Sequence, residues 1–238
     1  MQNADGKFWE DRARSLGELS VAWGGSRQAM RWDNFLRWSA IKKLLPRIRP
    51  GFMAIEVGTG SGYYAFKLAR MGANVVAVDF CRPLLEFGKS QLRKYNLEVI
   101  WVEAAAEDLP LRDDIFDLAV SVTCIQHLTD PQRQEKAVRE ILRVLRPGGT
   151  FILVEDTAPG SRTHVHRGYL LKRSQSGWIE LVNSQGGLLR KLVGVSYLRF
   201  RKWLPFWASA WLDKFIGVTG LFNRFARVTA FCFVNGPK

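Results

Sequence analysis

Residues 56–62 read EVGTGSG, an acid followed by glycines at 58, 60 and 62. Glycine at every second position lets the chain turn tightly and lets a ligand lie against the main chain. A helix starting directly after such a loop offers unpaired amide N–H groups to an electronegative ligand group. Asp79 closes the next apolar run, 21 residues after Gly58, where a carboxylate can accept hydrogen bonds from ribose hydroxyls. The chemistry implied is the binding of a nucleoside-type ligand. A dinucleotide fingerprint would need its third glycine at position 63, which is Tyr63, so the pattern E-x-G-x-G-x-G is a different one.

A second group of residues could act on an acceptor. His127, in CIQHLTD, follows an apolar run, and a neutral imidazole there can take a hydroxyl proton. The competing role for His127 is support of the loop ahead of Pro131. Glu155 and Asp156 end a later run and can accept a hydrogen bond from an acceptor, or serve the loop that follows. His164 and His166 stand two apart, but no third ligand is in view and no metal is assigned. Cys81, Cys124 and Cys232 form no CxxC pair, and so sparse and odd a count fits a reducing cytosol.

These residues need a frame that brings them to one edge. Residues 7–49 show aromatic and polar positions at helical spacing, read as two or three helices. Short apolar runs at 53–57, 74–78, 99–102, 116–122 and 150–155 then alternate with helical stretches at 63–71, 83–95 and 132–145. A helix at 178–183 and strands at 188–195 and 227–234 follow. Such alternation, with continuously apolar strands, predicts an α/β fold: a doubly wound, mostly parallel sheet covered by helices on both faces. The expected organisation is an N-terminal helical cap over 1–50 and a binding domain over 51–238, with a helical insertion at 197–225 before the last strand.

The motifs in this order resemble those of the class I S-adenosylmethionine-dependent methyltransferases, in the ubiquinone-type and small-molecule branch. EVGTGSG is similar to the family's first motif, EDLPLRDDIFD with LAVSVTCIQHLTD to its adenine-side loop and fourth strand, and EILRVLRPGGTFILVED to its following helix, turn and fifth strand. The match covers roughly residues 50–156. The resemblance implies a Rossmann-like, seven-stranded sheet and S-adenosyl-L-methionine as cofactor. It implies that Glu56, Gly58, Gly60 and Gly62 line the methionine end, that Asp79 binds the ribose and that Phe80 packs on the adenine. Thr59 and Thr123 complete the expected set. The acid that often bonds the adenine amino group is replaced by Ala105, leaving Glu107 or backbone such as the Ala106 amide. The family's Asn-Pro-Pro-Tyr-type motif is absent, with Ser121-Val122-Thr123-Cys124 in its place. Cys124 also lacks the proline context of a cytosine-attacking nucleophile.

Charge is unevenly distributed. Of the net +13, residues 1–157 contribute only 22 Lys+Arg against 20 Asp+Glu, whereas residues 158–238 set 13 Lys+Arg against Glu180 and Asp213. The basic third contains Trp203, Trp207 and Trp211 at spacings of four, expected on one face of a helix flanked by cations. That pattern suits an anionic membrane surface, a lid over an apolar substrate or a dimer contact, against the plainer alternative of a helix on the sheet edge. The N-terminus has no apolar leader core, and no run approaches the ~18 apolar residues of a membrane span. The expectation is a cytoplasmic enzyme, with peripheral association at the inner membrane face left open, methylating a small or lipid-linked molecule, at oxygen ahead of nitrogen or carbon. The alternatives are an RNA methyltransferase using the basic third, with nucleic acid the lesser partner, and an inactive cofactor-binding module.

Overall fold

The computed structural model describes residues 4–16, 27–158, 164–166, 170–196, 208, 212, 215 and 223–237. The chain opens with two helices, α1 (Ala4–Leu16) and α2 (Arg27–Lys42). There follow β1 (Met53–Val57), α3 (Tyr63–Ala69), β2 (Asn74–Asp79), α4 (Arg82–Leu92), β3 (Val99–Glu103) and β4 (Phe116–Val122). The second half holds α5 (Pro131–Val144), β5 (Leu145–Asp156), β6 (His164–His166), β7 (Leu170–Lys172), α6 (Gln175–Ser184), β8 (Gly187–Ser196) and β9 (Val228–Asn235).

Seven strands form one sheet in the order β3-β2-β1-β4-β5-β9-β8. The first five are parallel, and β9 runs antiparallel to both β5 and β8. Alternation along each strand sorts the core onto two faces. Ala54, Ala77, Val120 and Val154 pack with Leu36 and Ile41 of α2 and Leu68 of α3. Ile55, Val78, Ala119 and Leu153 pack with Val138 and Ile141 of α5 and Trp178 of α6. Two covered faces explain why the strands read as unbroken apolar runs. The order reverses between β1 and β4, and the carboxyl ends of β1, β2 and β4 therefore open onto one crevice.

The expected doubly wound sheet is present, with local differences. The fifth strand begins at Leu145 rather than at 150, so Pro147-Gly148-Gly149 lies inside β5 instead of forming a free turn. Leu145 leaves α5 already extended, at φ −77° and ψ 132°, and pairs with Phe116. His164 and His166 lie in the antiparallel pair β6–β7, whose three-residue strands are too short to show alternation in the sequence. The helix expected around Trp203, Trp207 and Trp211 lies outside the described residues. Asp130 caps α5 by accepting from the Gln132 amide at 2.9 Å, with Pro131 in the first turn.

Candidate active site

The crevice is a cleft with about 800 Å³ of empty space, part of it open to solvent. Glu56, Gly58, Thr59 and Gly60 line one side, Asp79 and Phe80 another, and Thr123, Cys124 and His127 a third. Of the residues expected from the sequence, Gly62, Ala106, Glu107 and Glu155 are not among those lining it.

Glu56, next to last in β1, is almost fully buried. One carboxylate oxygen accepts from the Thr59 hydroxyl and the Ala65 amide, each at 2.6 Å. Ala65 is the third residue of α3, so its amide belongs to the donors that a helix start leaves unpaired. Gly62 at the N-cap has no side chain to serve them, and Glu56 does so from below. Burial, aided by the charge of Asp79, pushes the Glu56 pKa up to about 8 against those two hydrogen bonds.

Asp79 ties the loop to β2. Its two oxygens accept from the Gly60 amide at 2.8 Å and the Cys81 amide at 2.9 Å. Each oxygen keeps a further lone pair, so a ribose diol can still be accepted. Burial raises its pKa, opposed by the amides of Cys81, Gly60 and Phe80. The glycines answer to packing as well as to a ligand. A Cβ on Gly58, at φ +75°, would stand 2.2 Å from the Cys124 sulfur, and one on Gly62, at φ +81°, would stand 2.4 Å from the Trp101 ring.

Thr123 has φ +48°, an unusual conformation for a β-branched residue. Its amide donates to the Val154 carbonyl at 2.7 Å, and the kink turns Thr123 and Cys124 into the cleft wall. A short 3-10 turn, Ile125–His127, follows and brings His127 to the cleft. The His127 ring stands edge-to-face with Trp9 of α1, 4.8 Å between centroids. Glu155 lies behind this turn, with no exposure. It accepts from the Cys124 and Ile125 amides at 3.2 and 2.9 Å. Its other oxygen is buried with no partner among the described residues, and burial pushes its pKa well up. Glu155 thus fastens the turn from outside the cleft, where the sequence places it beside the acceptor.

Glu107 faces α5, accepting from Arg133 Nε at 2.7 Å. Ala106 is buried. Arg143 holds the adjoining loop through the carbonyls of Leu109 and Leu111, while Glu140 accepts from the Leu109 amide. The Cys124 and Cys81 thiols are pushed up in pKa by burial, the latter to about 11, which keeps both protonated and poor nucleophiles.

Sequence reasoning missed the residues contributed from the N-terminal helices and the start of α3: Trp9, Asn34, Arg37, Tyr63 and Tyr64 all line the cleft. The available signal was Asn34 and Arg37, three apart and hence on one face of a helix that otherwise buries Leu36, Trp38 and Ile41. The Tyr64 hydroxyl donates to Asn34 Oδ1 at 3.2 Å and also bonds with Arg37.

The arrangement suits S-adenosylmethionine: buried acids for a diol and for cationic groups, and a glycine loop that leaves main chain accessible. A family model described as a methyltransferase domain matches residues 55–153. The demethylmenaquinone methyltransferase of Clavibacter sepedonicus is 35% identical over 169 residues, covering 70% of this chain and 67% of that protein. The ubiquinone/menaquinone biosynthesis C-methyltransferase UbiE of Vibrio vulnificus is 34% identical over 116 residues, and the match spans 44% of its length. Solved structures share the fold at low identity. The 1,6-didemethyltoxoflavin-N1-methyltransferase of Burkholderia thailandensis superposes at a TM-score of 0.65 with 15% identity, over 96% of this chain and 87% of that one. The [4+2]-cyclase SpnF superposes at 0.62 with 18% identity, over 88% of this chain and 82% of that one. Sequence, sheet order and cleft agree: the chain belongs to the class I S-adenosylmethionine-dependent methyltransferases.

Proposed function

We propose that the protein transfers a methyl group from S-adenosylmethionine to a small or lipid-linked acceptor of the hydroquinone type. The observation carrying this is the cleft itself, where Glu56, the glycine loop and Asp79 meet Thr123 and His127 at the strand ends. The names of the relatives, a demethylmenaquinone methyltransferase and C-methyltransferases, support a ring carbon as acceptor over the oxygen expected from sequence.

When bound, the cofactor supplies a methyl group already activated on a sulfonium sulfur. The chain's residues bind and align. Asp79 accepts from the ribose, Glu56 and the loop amides hold the amino-acid end, and Phe80 offers an apolar face for the base. His127 accepts the proton of an acceptor hydroxyl, which raises the electron density of the ring that is methylated. The methylated carbon then gives up its hydrogen as a proton that returns to the ring oxygen, and His127 passes its own proton to solvent. Glu155 positions His127 by fixing the turn that carries it. Trp9 and Tyr63 add aromatic walls that favour a flat apolar acceptor.

An anionic membrane surface as the meeting place draws support from the charge of residues 158–238 and from Leu212 and Phe215, which are 42% and 64% exposed. Among the described residues no helix is long and apolar enough to cross a membrane. The test supplies tritiated-methyl S-adenosylmethionine with a methyl-deficient prenylated hydroquinone, a phenol and total RNA as separate acceptors. Label in a ring carbon of the hydroquinone supports the reading. Label only in RNA, or only as a methyl ether, overturns the acceptor assignment. The His127→Asn variant is expected to lower kcat with cofactor affinity unchanged.

A further inference from the structure

Arg37 is the single lysine or arginine among the described residues that line the cleft. It projects from α2, half-buried. Burial opposes its charge, but Tyr64, Asp33 and Asp156 more than offset that and leave its pKa above the ordinary arginine value. The guanidinium is therefore a fixed cation at the cleft. Its position is set by Tyr64, whose hydroxyl also reaches Asn34 Oδ1 at 3.2 Å. Tyr64 is the second residue of α3, directly after the glycine loop.

Two carboxyls stand near the glycine loop. Glu56 underlies the loop and Asp79 closes β2, and neither offers a positive partner to an anionic ligand group. S-Adenosylmethionine carries a sulfonium, an ammonium and one carboxylate. Tyr64 links the loop to α2, since it interacts with Glu56 and bonds with Arg37. With the ribose at Asp79 and the amino-acid end at Glu56, the guanidinium would be the complementary charge. We infer that Arg37, positioned by Tyr64, binds the carboxylate of the cofactor's methionine end. A planar guanidinium suits a carboxylate through two parallel N–H···O bonds. The assignment rests on the methyl-donor reading above. It adds a ligand group from outside the matched methyltransferase domain of residues 55–153.

Decarboxylated S-adenosylmethionine differs from the cofactor by the carboxylate alone and isolates the contact. Calorimetric affinities of both compounds are compared for the wild type, Arg37→Lys and Arg37→Gln. Arg37→Gln is expected to weaken S-adenosylmethionine by about 10- to 100-fold, the loss of a charge-assisted hydrogen-bonded pair, and to change the decarboxylated compound by less than about threefold. Arg37→Lys falls between, because it keeps the charge and loses the fork. The comparison of two ligands on one variant separates a lost contact from a damaged fold. Equal weakening of both compounds assigns Arg37 a packing role and overturns the inference. Unchanged cofactor affinity with a raised acceptor KM assigns the guanidinium to the acceptor and also overturns it. Failure of the wild type to bind either compound overturns the methyl-donor reading, and this inference with it.

Discussion

Cofactor binding should release a proton from Glu56. With its pKa at about 8, this carboxyl is mostly protonated in the free protein at neutral pH. A bound cation about 5 Å away, at an effective dielectric constant near 20, favours the ionised form by roughly 3 kcal/mol, enough for a shift of about two pKa units. Binding is therefore tighter where the proton is already absent, and affinity rises with pH. With the carboxyl lowered from about 8 to about 6 in the complex, the gain between pH 5.5 and 7 is roughly eightfold, or about 1.2 kcal/mol. That window lies below the ordinary titration of the cofactor's own ammonium group. Titration calorimetry in two buffers of different ionisation enthalpy reads the affinity and the released proton together. Glu56→Gln fixes the neutral form and should bind as the wild type does at low pH, without this part of the slope. Asp79, also raised by burial, accounts for any slope that remains. Equal slopes for wild type and Glu56→Gln, or no proton released from the wild type, would refute the reasoning.

The same carboxyl bears on stability. A raised carboxyl pKa means that the folded state holds the proton more tightly, so the contribution is full below the unfolded value of 4.5 and is lost as pH rises to about 8. The free protein should melt higher at pH 6 than at pH 8, and Glu56→Gln should flatten the difference. Gly58→Ala forces a Cβ to within 2.2 Å of the Cys124 sulfur at a positive φ, and should abolish cofactor binding measured by calorimetry. Glu155→Gln, neutral like the protonated acid, should cost less than ~1 kcal/mol in denaturant unfolding. Glu155→Ala leaves the Cys124 and Ile125 amides without their acceptor and should cost about 2–4 kcal/mol. Arg143→Met should loosen the loop it holds through the Leu109 and Leu111 carbonyls and cost about 1–3 kcal/mol.

The strands β1, β2 and β4 and the glycine loop are legible in the sequence because each of these strands is buried on both faces and ends at a glycine, an acid or a turn. Glu56 and Asp79 reveal themselves as acids at the ends of apolar runs, where burial without function would be costly. Glu155 has the same signature and a different task, since strand-end position does not tell whether a carboxylate faces the cleft or the turn behind it. The contributions of α1 and α2 stay hidden for another reason. A polar residue on an amphipathic helix looks like a solvated one until the fold shows what lies opposite. Asn34 and Arg37 differ from Arg31 only in facing Tyr64 rather than water, and that depends on how α2 docks against α3.

That distribution bears on specificity. The region matched as a methyltransferase domain, residues 55–153, supplies Glu56, the glycine loop, Asp79 and His127. A fold shared with both an N-methyltransferase and a [4+2]-cyclase does not by itself select a reaction or an acceptor. Among the described residues, those that face the cleft from outside this region are Trp9, Asn34 and Arg37. Acceptor preference can therefore be set by α1 and α2 together with the walls that the matched region adds, such as Tyr63. Exchange of residues 1–50 with the corresponding segment of the Clavibacter sepedonicus protein tests this. Transfer of acceptor preference to the exchanged chain would place specificity in the helices, and an unchanged preference would place it outside them.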